Sequence, residues 1–324
     1  MRRSILLISL AAAGLFAVNL SSCANYHSRP PGHGDLSFDI SPAGDQLVFN
    51  AAGDGGRDLY LMTFPELRVT RIAATAEYEV DPRFSPDGKR IVYAAGKPGE
   101  RADHLFIRSL TGDARQITST EANDSLPSFS PDGKRIVFLR DKTYNWGGKA
   151  ASWGGDEIAC VMDVDGSNLR ELTRPRTMCG HPRFSKDGES VEFWRDGAIY
   201  AIAVDGADDP RKLREQAEVY AAYSTDDASI AYSQGVYSPD LEIFVADLNG
   251  ANARQITDSD EGSMHPLFTP DGRKLLYFRE SWPGGLNSVP KKSLWEVRLA
   301  DGEERRLADY ALFDDPLGWR RQRH

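Results

Sequence analysis

One motif recurs along this chain and constrains its fold more than any other feature. In most copies an aromatic residue precedes a Ser/Thr-x-Asp-Gly turn, which a short apolar run follows, as in residues 84–93. The aromatic positions are Phe38, Phe84, Phe129, Phe184, Tyr223 and Phe268, separated by 46, 45, 55, 39 and 45 residues. A period in the forties is typical of propeller blades or of helical arrays.

The residues around each turn exclude the helical alternative. Proline presets φ for the first central turn position, aspartate can bond its own backbone, and glycine accepts positive φ. These turn formers hold fixed offsets at residues 85–88, 130–133, 185–188 and 269–272. The apolar runs that follow mostly do not alternate with polar residues, as in 136–139. Strands covered on both faces can be apolar throughout, so the runs favour stacked blades over a two-layer sandwich.

A third strand and a fourth strand complete each period. The third strands are predicted at 58–61, 104–107, 157–161, 198–201, 242–245 and 294–297. Four antiparallel strands per period make one propeller blade, so we predict an all-β, six-bladed β-propeller over residues 35–319. Residues 314–319 resemble the opening of another repeat, and we interpret them as a closing segment that reaches back to the first blade. A seventh, incomplete blade is the alternative.

The Phe-Ser-Pro-Asp-Gly units resemble the TolB-like, WD-like β-propeller repeat family over roughly residues 35–319. The resemblance implies the propeller part alone, because the chain has no room for the N-terminal α/β domain of TolB. Scaffolds, receptors and a few enzymes share this repeat, so the resemblance implies the fold more strongly than the function.

The N-terminus predicts an exported lipoprotein. A basic start at Arg2 and Arg3 precedes an apolar stretch over 5–20, which is typical of a secretory signal. Leu20-Ser21-Ser22-Cys23 resembles the bacterial lipobox, which implies a signal peptide at 1–22, a lipidated Cys23 and a flexible tether at 23–34. Ala24 stands where an aspartate often marks retention in the inner membrane, so we expect the lipoprotein to be anchored in the outer membrane and to face the periplasm. A plain signal peptide, or an N-terminal anchor with an incidental cysteine, is the alternative.

The net charge of the chain limits the classes of partner that it can bind. The net charge is −9, and removing the signal with its two arginines makes it −11, which argues against nucleic acid. Residues 320–324 form a short basic tail, and we expect a monomer.

Cys160 and Cys179 are a candidate disulfide in an oxidising compartment, and two buried free thiols are the alternative.

Aromatic and arginine residues near the irregular loops are candidate contacts for an envelope protein or a glycan. Exposed aromatics among glycines bring a large contact area at low entropy cost, and guanidinium forks suit anionic ligands. The candidates are Tyr144, Trp146, Trp153, Trp194 and Trp282, with Arg140, Arg195 and Arg279. In the alternative, the tryptophans fold back onto their own blades and each arginine pairs with a carboxylate of a neighbouring blade.

The residues before the repeat prolines are predicted to ring the mouth of a central channel. They include Asp81, His181, His265 and Asp315. Two imidazoles and a carboxylate from alternate blades, Asp81, His181 and His265, are also a possible divalent-metal site. That site would imply an enzyme like the oligogalacturonate lyases, which are metal-dependent relatives of this repeat family. Histidines at these positions can instead cap strand ends.

No common enzyme motif is present: the chain lacks Gly-x-Ser-x-Gly, His-Glu-x-x-His and Gly-x-x-x-x-Gly-Lys-Ser/Thr. We therefore predict no catalytic residues and no cofactor, and a non-catalytic envelope module that binds a partner through its irregular face. The alternatives are a metal-dependent, lyase-like enzyme on an anionic oligosaccharide and a small-molecule sensor that uses the central channel.

Overall fold

The computed structural model describes residues 36–52, 56–73, 78–96, 102–142, 157–174, 180–195, 198–206, 209–214, 221–235, 240–283 and 291–314. These residues form six four-stranded antiparallel sheets, and in each sheet the strands follow chain order. The predicted six-bladed β-propeller is confirmed.

The strands fall into six consecutive groups of four. Blade 1 contains β1 (Phe38–Ile40), β2 (Gln46–Ala52), β3 (Arg57–Thr63) and β4 (Arg68–Ala73), and blade 2 contains β5 (Tyr78–Phe84), β6 (Arg90–Gly96), β7 (His104–Ser109) and β8 (Ala114–Gln116). Blade 3 contains β9 (Asn123–Phe129), β10 (Arg135–Asp141), β11 (Glu157–Asp163) and β12 (Arg170–Glu171), and blade 4 contains β13 (Gly180–Phe184), β14 (Ser190–Arg195), β15 (Ala198–Ala203) and β16 (Arg211–Arg214). Blade 5 contains β17 (Ala222–Tyr223), β18 (Ser229–Gln234), β19 (Glu242–Asp247) and β20 (Arg254–Gln255), and blade 6 contains β21 (Gly262–Phe268), β22 (Lys274–Ser281), β23 (Lys291–Arg298) and β24 (Glu304–Ala308). A short helix, α1 (Tyr310–Asp314), follows.

The turn between the first two strands is closed by its own side chains. Ser85 Oγ donates to the Asp87 carboxylate and accepts the Arg90 N–H at 2.9 Å, while Asp87 Oδ1 accepts the Lys89 N–H at 3.0 Å. Both hydrogen bonds to Asp87 lower the pKa of its carboxyl group, and the bond from Ser85 has the larger effect. The same contacts recur in the turns that begin at Ser130, Ser185, Ser224 and Thr269. The repeated Ser/Thr and Asp therefore fix the register of each hairpin.

Blade 1 corrects the alignment of the repeat. The Ser41 N–H donates to the Gln46 carbonyl as the Ser85 N–H donates to the Arg90 carbonyl. Ile40 consequently pairs with Leu47, as Phe84 pairs with Ile91. The prediction that Phe38 occupies the position of Phe84 is wrong by two residues. In this turn Ser41 Oγ donates to Asp45, four residues on, because alanine stands where the other turns have aspartate.

The apolar second strands bury both of their faces. In β10, Ile136 and Phe138 pack in a cluster with blade 2, whereas Val137 and Leu139 pack in a cluster with blade 4. All four side chains are at most 2% exposed. Successive residues of a strand point to opposite faces, so a strand between two neighbours has no polar side. Burial of each such side chain stabilises the fold by roughly 1.5–3 kcal/mol.

An aromatic cluster closes the ring between blades 1 and 6. Phe38 meets Phe278 edge-on at 4.8 Å between ring centroids. Phe313 of α1 inserts between blades 1 and 6 and meets Phe49 at 5.4 Å and Phe278 at 5.2 Å. No strand is exchanged between the two blades in the described sheets. The chain therefore reaches back to the first blade through 310–313, slightly before the predicted closing segment, most of which lies outside the described residues.

Several predicted segments lie outside the described residues: the signal peptide, Cys23, the tether and the basic tail. Within the part of the chain that is described, no helix has the length and apolar character needed to span a membrane.

Replacing Phe313 with alanine tests the closure. Because this buried ring packs on both blades, Phe313→Ala is expected to lower the free energy of unfolding by about 3–5 kcal/mol, measured in urea. The matched control is Tyr310→Ala on the same helix, where the side chain is 41% exposed. Equal effects of the two substitutions would contradict closure by Phe313.

Candidate functional site: the central channel

The first strands of the blades surround a cavity of about 470 Å³ at the centre of the ring. Two positions of the first strands face it, the residue before the repeat proline and the residue after it, or their counterparts where the proline is absent. In blade 5 only the second of these positions is described. Ser37, Asp81, Leu126, His181 and His265 form what we name the loop-side ring, and Asp39, Arg83, Ser128, Arg183, Ala222 and Leu267 form the turn-side ring. Of the residues predicted at the channel mouth, Asp81, His181 and His265 line the cavity, while Asp315 lies outside the described residues.

An unusual backbone conformation directs the loop-side ring into the channel. Asp81, Leu126, His181 and His265 have φ of 54°, 50°, 48° and 54°. In each strand the pairing register shifts at this point, which marks a β-bulge. A non-glycine residue in this region costs roughly 1–2 kcal/mol, and proline is tolerated in strands at edges and bulges. The X-Pro dipeptide was therefore the sequence signal for a re-aimed side chain.

The two aspartates of the channel hold neighbouring blades together. Asp39 Oδ2 accepts the Phe84 N–H at 2.8 Å, which joins blade 1 to blade 2. Asp81 Oδ2 accepts the Leu126 N–H at 3.4 Å, which joins blade 2 to blade 3. Burial raises the pKa of Asp39, against the lowering effect of the nearby Arg83 guanidinium. Both carboxylates therefore have a structural role, because they link the first strands of neighbouring blades.

Arg83 presents unused hydrogen-bond donors to the lumen. Its Nη1 donates to the carbonyls of Phe38 at 3.0 Å and Pro82 at 3.1 Å. Among the described residues it forms no ion pair, and its Nε and Nη2 atoms have no hydrogen-bond partner. Sequence reasoning missed Arg83. It lies two residues after Asp81 on the same strand, so the period of two could have indicated it.

The His181 side chain is exposed to the lumen, and the channel walls surround it on its other sides. The reduced solvation between these walls first, then the positive charges of Arg83 and His265, lower the pKa of His181 to about 4. Its imidazole is therefore neutral at pH 7. In the described part of the chain, no three His, Cys, Asp or Glu side chains lie close enough together to hold a metal ion. Asp81, His181 and His265 share the channel without forming a metal-ligand group.

The three predicted arginines are held by contacts within their own blades. Arg140 forms a bidentate pair with Asp124 of β9, at 2.7 and 2.9 Å, and both side chains are buried. Arg279 donates to Glu304 of β24 at 2.9 Å, and its guanidinium lies 4.2 Å from the Trp295 ring centroid. The guanidinium of Arg195 lies 3.9 Å from the centroid of the Tyr200 ring, within blade 4. The predicted pairing with neighbouring blades is wrong for Arg140 and Arg279, because the carboxylate of each lies in the same sheet.

The predicted aromatic residues and cysteines lie in different parts of the molecule. Trp194 is 5% exposed and lines the channel wall, and Trp282 is partly exposed at the end of β22. Tyr144, Trp146 and Trp153 lie outside the described residues. Cys160 lies in the core between blades 2 and 3 and has no disulfide partner among the described residues, and burial raises the pKa of its thiol to about 12. Cys179 is outside the described residues, so the disulfide stays a prediction.

Comparison with known proteins agrees with this architecture. Residues 31–146 match the model of the TolB β-propeller domain family. Over these residues the chain is similar to the TolB β-propeller domain. A protein TolB homolog of Chlorobium chlorochromatii (strain CaD3) is 28% identical over 123 residues, which are 36% of this chain and 27% of that protein. The chain therefore matches about a quarter of the length of this curated relative.

Solved structures share the fold at low sequence identity. TolB from Acinetobacter baumannii superposes with a TM-score of 0.63 at 18% identity, covering 82% of this chain and 64% of that one. An oligogalacturonate lyase in complex with manganese gives a TM-score of 0.57 at 19% identity, covering 86% of this chain and 79% of that one. At this identity the likeness concerns the propeller fold alone.

Removing Arg140 distinguishes a structural arginine from a binding one. Because Arg140→Ala leaves the buried Asp124 carboxylate without its partner, the free energy of unfolding is expected to fall by about 3–5 kcal/mol in urea. The control is Arg298→Ala, whose ion pairs with Asp301 and Glu303 are exposed to solvent and whose loss is expected to change stability little. A stable Arg140→Ala protein would return Arg140 to the list of binding candidates.

Proposed function

We propose that this chain is a non-catalytic binding module of the cell envelope. An acidic segment of a partner protein enters its TolB-like channel at the loop-side end and extends to Arg83 in the turn-side ring. One observation carries the proposal: the Arg83 guanidinium faces the lumen with donors that none of the described residues uses. A partly exposed guanidinium edge in a cavity, with donors that no described residue uses, is suited to an incoming acceptor.

The size and chemistry of the channel support this choice of ligand. A cavity of about 470 Å³ falls within the range of ligand sites, roughly 300–1,000 Å³. The fork of an arginine matches a carboxylate in geometry and charge. The Trp194 ring and the repeat prolines add apolar wall, which suits the carbon chain of a glutamate. The Asp39 and Asp81 carboxylates accept backbone N–H groups of the next blade, and the Arg83 guanidinium acts on Asp39 through its charge and not through a hydrogen bond.

A carboxylate-bearing saccharide or small molecule is the second candidate, and the same Arg83 donors favour it. It would make the chain a sensor or a glycan-binding protein. The metal-dependent lyase alternative has no ligand group among the described residues, so we do not carry it further.

Photocrosslinking distinguishes the channel from other surfaces. A photoreactive residue in place of Leu126, in the loop-side ring, is expected to crosslink an envelope protein in cells. The same residue in place of Thr111, in the exposed turn between the third and fourth strands of blade 2, is expected not to. Arg83→Gln should lower the yield at Leu126 about tenfold or more, since a hydrogen bond to a charged group contributes about 1.5–3 kcal/mol.

Two outcomes would overturn the protein-binding proposal. Crosslinks from position 111 with none from 126 would place the partner on the opposite face. No crosslinked protein at 126, together with an oligogalacturonate-induced rise in the unfolding midpoint that Arg83→Gln abolishes, would establish the second candidate instead.

We further propose that Cys23 anchors the mature chain to the outer membrane, facing the periplasm. The support is the sequence Leu20-Ser21-Ser22-Cys23 after an apolar stretch, with Ala24 following. Several acyl chains hold a protein on a membrane stably, because each buried methylene contributes about 0.8 kcal/mol.

Metabolic labelling with palmitate tests the anchor. The wild-type protein is expected to take up label and to sediment with outer membranes, while Cys23→Ser does neither. Cys179→Ser is the matched control and should keep the label, since it lies far along the chain from the signal. Label retained in Cys23→Ser would rule out this anchor.

A further inference from the structure

Guanidinium groups fasten one blade to the next at two consecutive interfaces. Arg90 at the start of β6 donates to the Gly133 carbonyl of blade 3 at 3.1 Å, and its guanidinium lies 5.5 Å from the Phe129 ring centroid. Arg135 at the start of β10 donates to the Gly188 carbonyl of blade 4 at 2.9 Å, with its guanidinium 5.3 Å from the Phe184 ring. We name this contact the arginine clamp.

The interface between blades 4 and 5 achieves the same result with another residue. Ser190 occupies the clamp position of blade 4. Arg183, from the first strand, fills the gap instead, with its guanidinium 3.4 Å from the Tyr223 ring centroid and Nη1 3.0 Å from Asp227. A cation therefore lies on the aromatic residue of the next blade at three successive interfaces.

Blade 5 lacks both devices. Ser229 stands at the clamp position, since its N–H donates to Ser224 Oγ just as the Arg90 N–H donates to Ser85 Oγ. Ala222 stands at the position of Arg183 in the turn-side ring. A groove of about 540 Å³ lies between the two blades at this edge, lined by Ser229, Phe268 and Gly272. The core beneath it is packed, with Val245 beside Leu275.

The acceptor side of the clamp is intact but unoccupied in blade 6. A Cβ added to Gly133 or Gly188 would meet a guanidinium nitrogen at 3.3 or 3.6 Å. A Cβ added to Gly272 would meet nothing within 4 Å of the atoms that the structure describes. The groove is therefore the clamp site without its arginine.

The charges around the groove suit a cation. Asp226, Asp247 and Asp271 line it, and hydrogen bonds from Ser224 and Thr269 lower the pKa of Asp226 and Asp271. Arg254 also lines it, but its Nη2 donates to the Leu299 carbonyl at 3.0 Å. The acidic lining thus outweighs the single positive charge among these residues.

We propose that the groove between blades 5 and 6 binds an arginine side chain of a partner protein. The guanidinium donates to the Gly272 carbonyl and lies against Phe268, as Arg90 and Arg135 do in the neighbouring interfaces. Planar guanidinium stacks on aromatic rings, whereas an ammonium is a compact and strongly hydrated charge, so lysine fits less well. The site lies on the turn face, away from the loop-side end of the channel, and does not depend on the function proposed for that channel.

Two short peptides test the site on the wild-type protein. Acetyl-Gly-Arg-Gly-amide is expected to shift the backbone amide signals of Ser229 and Gly272 saturably in NMR spectra. The lysine counterpart is expected to bind about tenfold more weakly. Equal affinity for the two peptides, or shifts elsewhere only, would overturn the proposal.

A variant that fills the groove provides the second test. Ser229→Arg is expected to abolish the response to the arginine peptide and to raise the midpoint of thermal unfolding by about 2 °C or more. Ser190→Arg is the matched control, because Arg183 already occupies that gap, and it should keep both the peptide response and the wild-type midpoint. Undiminished peptide binding by Ser229→Arg would overturn the proposal, and the peptide comparison stands if this variant does not fold.

Discussion

Each blade of this propeller buries both of its faces only because a neighbour stands on either side. Ile136 and Phe138 of one strand need blade 2, and Val137 and Leu139 of the same strand need blade 4. An open row of such blades would leave an apolar face in water at each end, so the row has to close. The contact of blades 1 and 6 around Phe313 is therefore a condition for the stability of every other blade.

Closure also creates the channel and its chemistry. The first strands converge where side chains from six directions share one lumen, and the X-Pro bulges point four of them inward at a cost in backbone strain. Asp39 and Asp81 offset part of that cost by accepting backbone N–H groups across blade boundaries. Neither carboxylate hydrogen-bonds the Arg83 guanidinium, whose remaining donors are the ones that we propose for a ligand.

The sequence predicted the blades well because their turns have local causes. Ser85 and Asp87 close a turn through contacts five residues or fewer apart, and such contacts are readable from spacing. The alignment of blade 1 was wrong because its turn lacks the usual aspartate, and Ser41 Oγ donates to Asp45 instead. Arg140 and Arg279 were harder, because their carboxylates lie 16 and 25 residues away and only the folded sheet brings them together.

The repeat is uniform in its backbone and varies in its side chains, and both binding sites that we propose lie where a side chain differs from its counterparts in other blades. Arg83 occupies a position that is Ser128 in the next blade, and it alone of this pair brings a charge to the lumen. Ser229 occupies a position that is arginine in blades 2 and 3, and a groove lies where the clamp would be. A residue shared by the blades serves the ring as a whole. A residue that departs from its counterparts changes one interface and leaves the others intact, so it can be altered for a ligand without loss of the fold.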